Sequence, residues 1–549
     1  MKTLADKRMA EMKLKLAMVL ALFAWGLNGC GGQDNAGTAN LSGQVSALNA
    51  PAAPSHFAAS RLLEQASMGP SPAMVAQVKS QGIDAWIASQ MKMAPTKIVT
   101  PESMVNYDDQ RDKPAADRMR DFYRLNLFNV LIGGEDQLRI RTSWVLSNFL
   151  VVSTRKVAEY GGIEYLNLLQ THALGQYGDL LKNLTLSPAM GNYLDNNQNT
   201  KSQLNENFGR ELMQLFSVGL VQLNMDGTPK RDASGKVLET YTQKDVIEIT
   251  RALTGWSFVP NPTDLISNRN FANYGKPMIE NAGRHDTDSK TFLGKTIPAG
   301  QTAAKDLDSV GDILVTHPNT APFVSLRLIQ GMTTSDPSPA YLQRVATVFK
   351  ETKGNLAKIV VAILTDPEAR AGDIHGKSSN NFGRIKEPVL VYTSGFRGLG
   401  CKVAIKRTDK PNEVFQSNNQ RPLEAYSVFN FFPPNHRTQG TNVLAPEQKL
   451  LNSVEFSSRM GFFSWALQNE TSLNDAGCDV TSFKTAQAVS DEKLLDLMNE
   501  RFFRGALPAS ISKSLIDANK SLWNRDQGLK LAGAILDMAS LTPAFGVSK

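Results

Sequence analysis

Two neighbouring stretches constrain the fold most: 205–220 (N-E-N-F-G-R-E-L-M-Q-L-F-S-V-G-L) and 242–258 (T-Q-K-D-V-I-E-I-T-R-A-L-T-G-W-S-F). In the first, Phe208, Leu212, Leu215 and Phe216 fall at i, i+4, i+7 and i+8, a stripe that a helix must bury. Glu206, Arg210 and Gln214 form a second line at i+4 spacing, so a carboxylate, a guanidinium and an amide share one flank. The second stretch opens on Thr242, a helix cap with Asp245 at the third position, the carboxylate form of a capping box. Val246, Ile249, Leu253 and Trp256 make its apolar face, Glu248 and Arg251 pair at i+3, and Gly255 is placed to end it.

The rest of the chain reads mainly as helices with polar punctuation. Expected helices include Pro72–Gln81, Asp136–Val151, Ala321–Thr333 (capped by Thr320), Pro339–Glu351 (capped by Ser338), Arg384–Leu399 and Pro446–Leu467. Met190–Asn197 reads as a polar loop. Residues 221–241 hold Asp226-Gly227 and Ser234-Gly235 turns between short alternating runs, so a β-hairpin insert is expected there. Its Asn224, Asp226 and Asp232 fail as a calcium loop, because Ala233 stands where the bidentate glutamate belongs. The segment 408–445, rich in Asn, Gln, Pro and aromatics, reads as a subdomain boundary, with Phe429, Phe431, Phe432 and 433–436 expected as a buried extended plug and a contact surface as the alternative. The fold class is therefore all-α, with a small hairpin insert and long loops.

The N-terminus carries an address. Lys2, Lys7, Arg8, Lys13 and Lys15 precede an apolar run from Leu16 to Leu27, the length of a signal peptide rather than of a membrane span. The run ends in Leu27-Asn28-Gly29-Cys30, which resembles a bacterial lipobox and predicts lipidation of Cys30. Residues 1–29 are read as the signal, 30–55 as a flexible tether too small and polar to repay ordering, and 56–549 as the helical body. The expected location is the cell envelope, on an outer-membrane lipid facing the periplasm or the cell surface. The formal charge of +7 falls to about +4 without the signal, and no basic stripe with interleaved aromatics appears, which argues against nucleic acid as a partner.

Once Cys30 carries lipid, Cys401 and Cys478 are the remaining thiols of an oxidising compartment. A disulfide between them is expected; two buried free cysteines are the alternative.

N-E-N-F-G-R-E-L-M-Q-L-F-S-V-G, T-Y-T-Q-K-D-V and R-A-L-T-G-W together resemble domain-of-unknown-function family 1800. Further matching pieces are R-L-L-E-Q-A-S-M-G-P near 61, H-D-T-D-S-K-T-F-L-G at 285, H-P-N-T-A-P-F at 317, R-I-K-E-P-V-L at 384 and P-L-E-A-Y-S-V-F-N-F-F-P-P at 422. The resemblance implies a secreted or envelope bacterial protein, often encoded beside an alkaline-phosphatase-like or sulfatase-like family. It brings no established reaction. Some relatives carry a histidine-rich W-H-N-H-F where this chain has Leu146-Ser147-Asn148-Phe149-Leu150, so no role guessed for those histidines transfers.

No G-x-S-x-G elbow, phosphate-binding loop or dinucleotide fingerprint is present, and no cofactor or metal is specified. His285 beside Asp286 and Asp288 is expected in a surface network. Two functions stay open. One is a binding or assembly role beside a secreted phosphatase- or sulfatase-like protein. The other is a hydrolase-type enzyme with a polar pocket built from Glu206, Arg210, Asp245 and His285. Separately, Arg210 or Arg251 is expected to bridge carboxylates across the two central helices, as a network that holds the fold; a pocket lined by Arg210 and Glu206 for an anionic group or metal is the alternative.

Overall fold

Serine caps start the body. In the computed structural model, which describes residues 53–100, 113–259, 273–379, 381–404, 420–467, 470–520 and 530–549, Ser55 and Ser71 accept the N–H groups of Ala58 and Met74. These bonds open α1 (His56–Ala66) and α2 (Pro72–Gln81). Cys30, the signal and most of the tether lie outside the described residues. The chain continues through α3 (Ile83–Met91), α4 (Lys113–Gly133), α5 (Gln137–Phe149), α6 (Glu159–His172) and α7 (Tyr177–Leu186). Ser187-Pro188 then starts a further short helix, α8 (Pro188–Tyr193), where a loop was expected; proline at the first helical position suits the free N–H ends there.

The central pair forms, but each helix is shorter than its apolar stripe. α9 is Glu206–Gln214: Val218 and Gly219 turn their N–H groups back to Met213 O, and Gly219 takes φ +71°. Phe216 and Val218 are nevertheless buried. α10 is Gln243–Ala252, and its expected capping box is present, with Thr242 and Asp245 bonded reciprocally. Trp256 has left the helix for β1 (Trp256–Ser257), which pairs antiparallel with β2 (Ile279–Glu280).

The insert at 221–241 folds its three arms on one another. Gln222 N–H bonds Leu238 O, Leu238 N–H bonds Lys230 O, and Lys230 N–H bonds Gln222 O, closing a ring. Asp226 and Asp232 are used as turn caps, accepting from Thr228 and from Ser234 and Lys236. A true hairpin, β3 (Lys290–Phe292) with β4 (Lys295–Ile297), follows; Leu293 and Gly294 both have positive φ, as its tight turn requires.

The second half stacks α11 (Ala303–Thr316), α12 (Thr320–Met332), α13 (Pro339–Thr352), α14 (Leu356–Thr365) and α15 (Pro367–Ala371). Ser338 caps α13 as expected, whereas Thr320 gives its hydroxyl to Leu314 O and Asn319 precedes the helix. The expected helix Arg384–Leu399 begins late: Arg384 and Ile385 form β5 and only α16 (Pro388–Gly398) is helical. β5 pairs with the C-terminal β6 (Val547–Ser548), a partner far along the chain that no local pattern announces. Pro446–Leu467 is likewise split into a 3-10 turn, Pro446–Leu450, and α17 (Ser453–Ala466) capped by Asn452.

The chain closes with α18 (Glu470–Asp475), α19 (Val480–Val489), α20 (Asp491–Phe502), α21 (Ala509–Lys520), α22 (Lys530–Ser540) and α23 (Pro543–Gly546). One hydrophobic core runs from α1 to α23. Cys401 and Cys478 are disulfide-bonded, tying the end of α16 to the start of α19.

Candidate functional site

The four residues singled out from the sequence do not converge. Arg210 pairs with Glu206 on its own helix (Nη2 to Oε2, 2.7 Å), and both side chains are about a third exposed. Across the helices, among the described residues, Arg210 meets an amide: Nη2 donates to Gln243 Oε1 at 3.1 Å, and Gln243 Nε2 donates to Glu206 at 2.9 Å. Asp245 serves as the cap of α10, and its Oδ1 also accepts the Leu293 N–H at 2.8 Å. Partial burial raises its carboxyl, but these donors outweigh that and hold it below the usual aspartate range.

His285 is buried rather than part of a surface network. Its Nδ1 lies 2.9 Å from Thr254 O and its Nε2 3.3 Å from Asp306 Oδ2, which also receives Lys290 Nζ at 2.6 Å. Asp306 was not foreseen; its signal is an acid set within the Ala303, Leu307, Val310, Leu314 stripe of α11. Arg251 does bridge carboxylates, Glu248 on its own helix and Asp286 (Nε to Oδ2, 2.8 Å), but it reaches the 285–290 loop instead of α9.

A candidate site lies elsewhere, in a pocket with a cavity volume of about 70 Å³ between α5, α12, the turn after α9 and the 428–447 segment. Gly331 makes the contact of α5 with α12 close, since a Cβ there would overlap Val145. The Gly331 carbonyl accepts from Arg384 Nη1 (2.8 Å) at the floor and from Arg141 Nη2 (2.7 Å) behind it. Glu447 holds Arg384 (Nη2 to Oε1, 2.8 Å) and accepts the Ser335 hydroxyl at 2.8 Å. Glu387 receives Trp144 Nε1 at 3.0 Å, Arg384, and the Gln420 amide.

Burial would discharge Arg384, but Glu447 and Glu387 outweigh it and hold it above its ordinary range. Burial and the like charge of Arg384 push Arg141 down to about 9, against the pull of the same two carboxylates.

Arg327 stands apart from this balanced floor. Its guanidinium lies over the Phe323 ring (5.0 Å to the centroid) and gives Nη1 to Gln330 Oε1 at 2.9 Å. Among the described residues no carboxylate pairs with it. Desolvation lowers it to about 10, so it stays charged at neutral pH. Gln330 is in turn fixed by Ser335 O and Pro434 O. Arg327 was missed from the sequence, although Phe323, Arg327 and Gly331 fall at i, i+4 and i+8, an arginine on the inward line of an apolar helix.

Apolar side chains make the walls: Phe149, Leu215, Phe323, Val428, Phe429 and Phe432. Of the 408–445 segment, residues 420–445 are described, and they form a rim instead of the expected plug. Asn430 at φ +60° and the Pro433-Pro434 pair carry the chain across the surface, leaving Tyr426 69% and Phe429 45% exposed. The rim is tied to α5 by Asn430 Nδ2, 3.1 Å from Asn148 Oδ1. Four of the stretches that carried the resemblance, at 205, 317, 384 and 422, thus send residues to one pocket.

No helix of the described residues is long and apolar enough to cross a membrane, and no group of three His, Cys, Asp or Glu among them could hold a metal ion. A family model described as "Protein of unknown function (DUF1800)" matches residues 61–546. No curated protein and no solved structure matches the chain.

Proposed function

The chain belongs to the DUF1800 family of proteins of unknown function, and from that premise we propose that it is a binding protein of the bacterial envelope, held by lipid on Cys30, whose pocket receives a partner. The observation that carries this reading is the make-up of the pocket: aromatic and aliphatic walls around one uncompensated guanidinium, with no hydroxyl or thiol nucleophile among the residues that line it. Its single carboxylate, Glu447, is already engaged by Arg384 and Ser335, which leaves it no proton-transfer role. The hydrolase reading has less support, because Glu206 and Arg210 face solvent, Asp245 is a helix cap and His285 is sealed from substrate.

The signal, the lipobox-like Leu27–Cys30 and the polar tether support the anchor. The exposed Tyr426 and Phe429 supply an apolar rim of the kind that marks docking surfaces. By resemblance, a secreted phosphatase- or sulfatase-like protein is the proposed partner.

The test is co-purification of a secreted phosphatase- or sulfatase-like protein with this chain from envelope membranes. Wild type should retain it in stoichiometric amount and Phe429→Asp should lose it without a change in melting temperature. Retention by Phe429→Asp, or ester, phosphate or sulfate hydrolysis by the purified chain that Arg327→Met abolishes, would overturn the binding role.

A further inference from the structure

We infer that the pocket beside α12 is a carboxylate-recognition site: Arg327 takes a carboxylate whose apolar substituent fills the space between Phe149, Phe323, Phe429 and Phe432. The inference rests on the binding role proposed above and names its ligand class.

The charge balance of the pocket selects an anion. Arg384 at the floor and Arg141 behind it are matched by Glu387 and Glu447, so those four groups leave no excess charge to attract a ligand. Arg327 adds one positive charge that no described side chain neutralises, in a place where water is partly excluded. A cation so placed is stabilised by an anion that comes with the ligand, and the low local dielectric strengthens that pairing.

Geometry narrows the anion to a carboxylate. The Phe323 ring covers one face of the guanidinium and Gln330 Oε1 occupies one Nη1 donor, and among the described residues nothing accepts from the Nε–Nη2 edge. A planar guanidinium edge matches two carboxylate oxygens in parallel hydrogen bonds. One cation also balances a singly charged acid, whereas a phosphate dianion would leave net charge in an apolar surround. The aromatic walls require that the carbon next to the carboxylate be apolar.

Such a group comes either from a free arylalkanoic acid or from the C-terminus of a protein ending in an apolar residue. Both sources are tested on the full lipidated chain in detergent by calorimetric titration. The probes are 3-phenylpropionate against 3-phenylpropionamide, and an acetylated peptide ending in phenylalanine as free acid against its carboxamide. At least one acid should bind about tenfold or more tighter than its amide, the scale of a charge-assisted pair; which acid binds identifies the source. Arg327→Met should erase the difference. The inference is overturned if the acids bind no better than the amides, if neither acid binds at millimolar concentration, or if a folded Arg327→Met keeps the preference. The acid–amide comparison on wild type needs no variant and stays decisive if Arg327→Met does not fold. Failure of both acids leaves the partner-binding role standing, because that role falls only by its own co-purification test.

Discussion

Arg384 Nη2 and Glu447 Oε1 lie 2.8 Å apart with both side chains at most 2% exposed, joining β5 to the 3-10 turn at Pro446 beneath the pocket. Removing one partner of such a pair leaves a buried charge without its counter-ion. Glu447→Leu should therefore destabilise the chain by about 3–5 kcal/mol, although Glu387 still compensates part of the charge. Chemical denaturation of the variant checks this; a loss below about 1 kcal/mol would mean that the pair behaves as a surface contact.

Local rules explain where the sequence was legible. Pro72–Gln81 and the Thr242–Asp245 capping box need only neighbouring residues, and both are present as read. The Cys401–Cys478 pairing was legible from the cysteine count together with the oxidising location expected from the N-terminus. What escaped depends on partners far along the chain: Arg384 is drawn out of its helix by Ser548, and His285 is buried by Asp306. The pocket was illegible for the same reason. Its arginine was hidden on an apolar helix line, while the charged residues that looked functional, Glu206 and Arg210, hold each other at the surface.

The Cys401–Cys478 bridge closes a loop of 77 residues' separation. In the chain-entropy model that is worth on the order of 4 kcal/mol. The denatured, unreduced, lipidated protein should show no free thiol on quantitative labelling, and the Cys401→Ser, Cys478→Ser double variant should unfold at clearly lower denaturant. Two labelled thiols would refute the bridge.

Acid should weaken the fold through Asp245 and Asp286. Partial burial raises both, but hydrogen bonds from Thr242 and Leu293 to the first, and from Arg251 to the second, leave each below the usual range. A carboxyl depressed in the folded state binds fewer protons there than in the unfolded chain, so its contribution is complete above the unfolded value of about 3.9. It is then lost as pH falls through the folded value. The urea midpoint should show a limb below about pH 4 from these two carboxyls. Asp245→Asn should remove part of that acid limb and lower stability at neutral pH by about 1 kcal/mol, the scale of a lost cap. An unchanged acid limb would refute the assignment.

Arg210→Met separates a surface ion pair from a working site. The pair is well exposed and its cross-helix contact is an amide, so the variant should lose less than about 1 kcal/mol and keep partner co-purification. A folded variant that loses its partner would return the function to the central helices.

Asp306 offers the sharpest test of whether the His285 cluster is a sealed structural unit. Its Oδ2 stands 2.6 Å from Lys290 Nζ and 3.3 Å from His285 Nε2, with none of the three side chains more than 1% exposed. Asp306→Asn keeps the shape and removes the only carboxylate paired with Lys290 among the described residues, leaving the buried ammonium the Asp286 carbonyl but no counter-ion. The expected loss is about 3–5 kcal/mol. Replacing both partners, in Asp306→Leu with Lys290→Met, removes the two desolvation penalties together and should recover most of that loss, because an apolar pair of similar volume leaves no orphan charge. Denaturant melts of the two chains decide it: if Asp306→Asn is nearly neutral, the cluster is open to water, and His285 becomes available for chemistry after all.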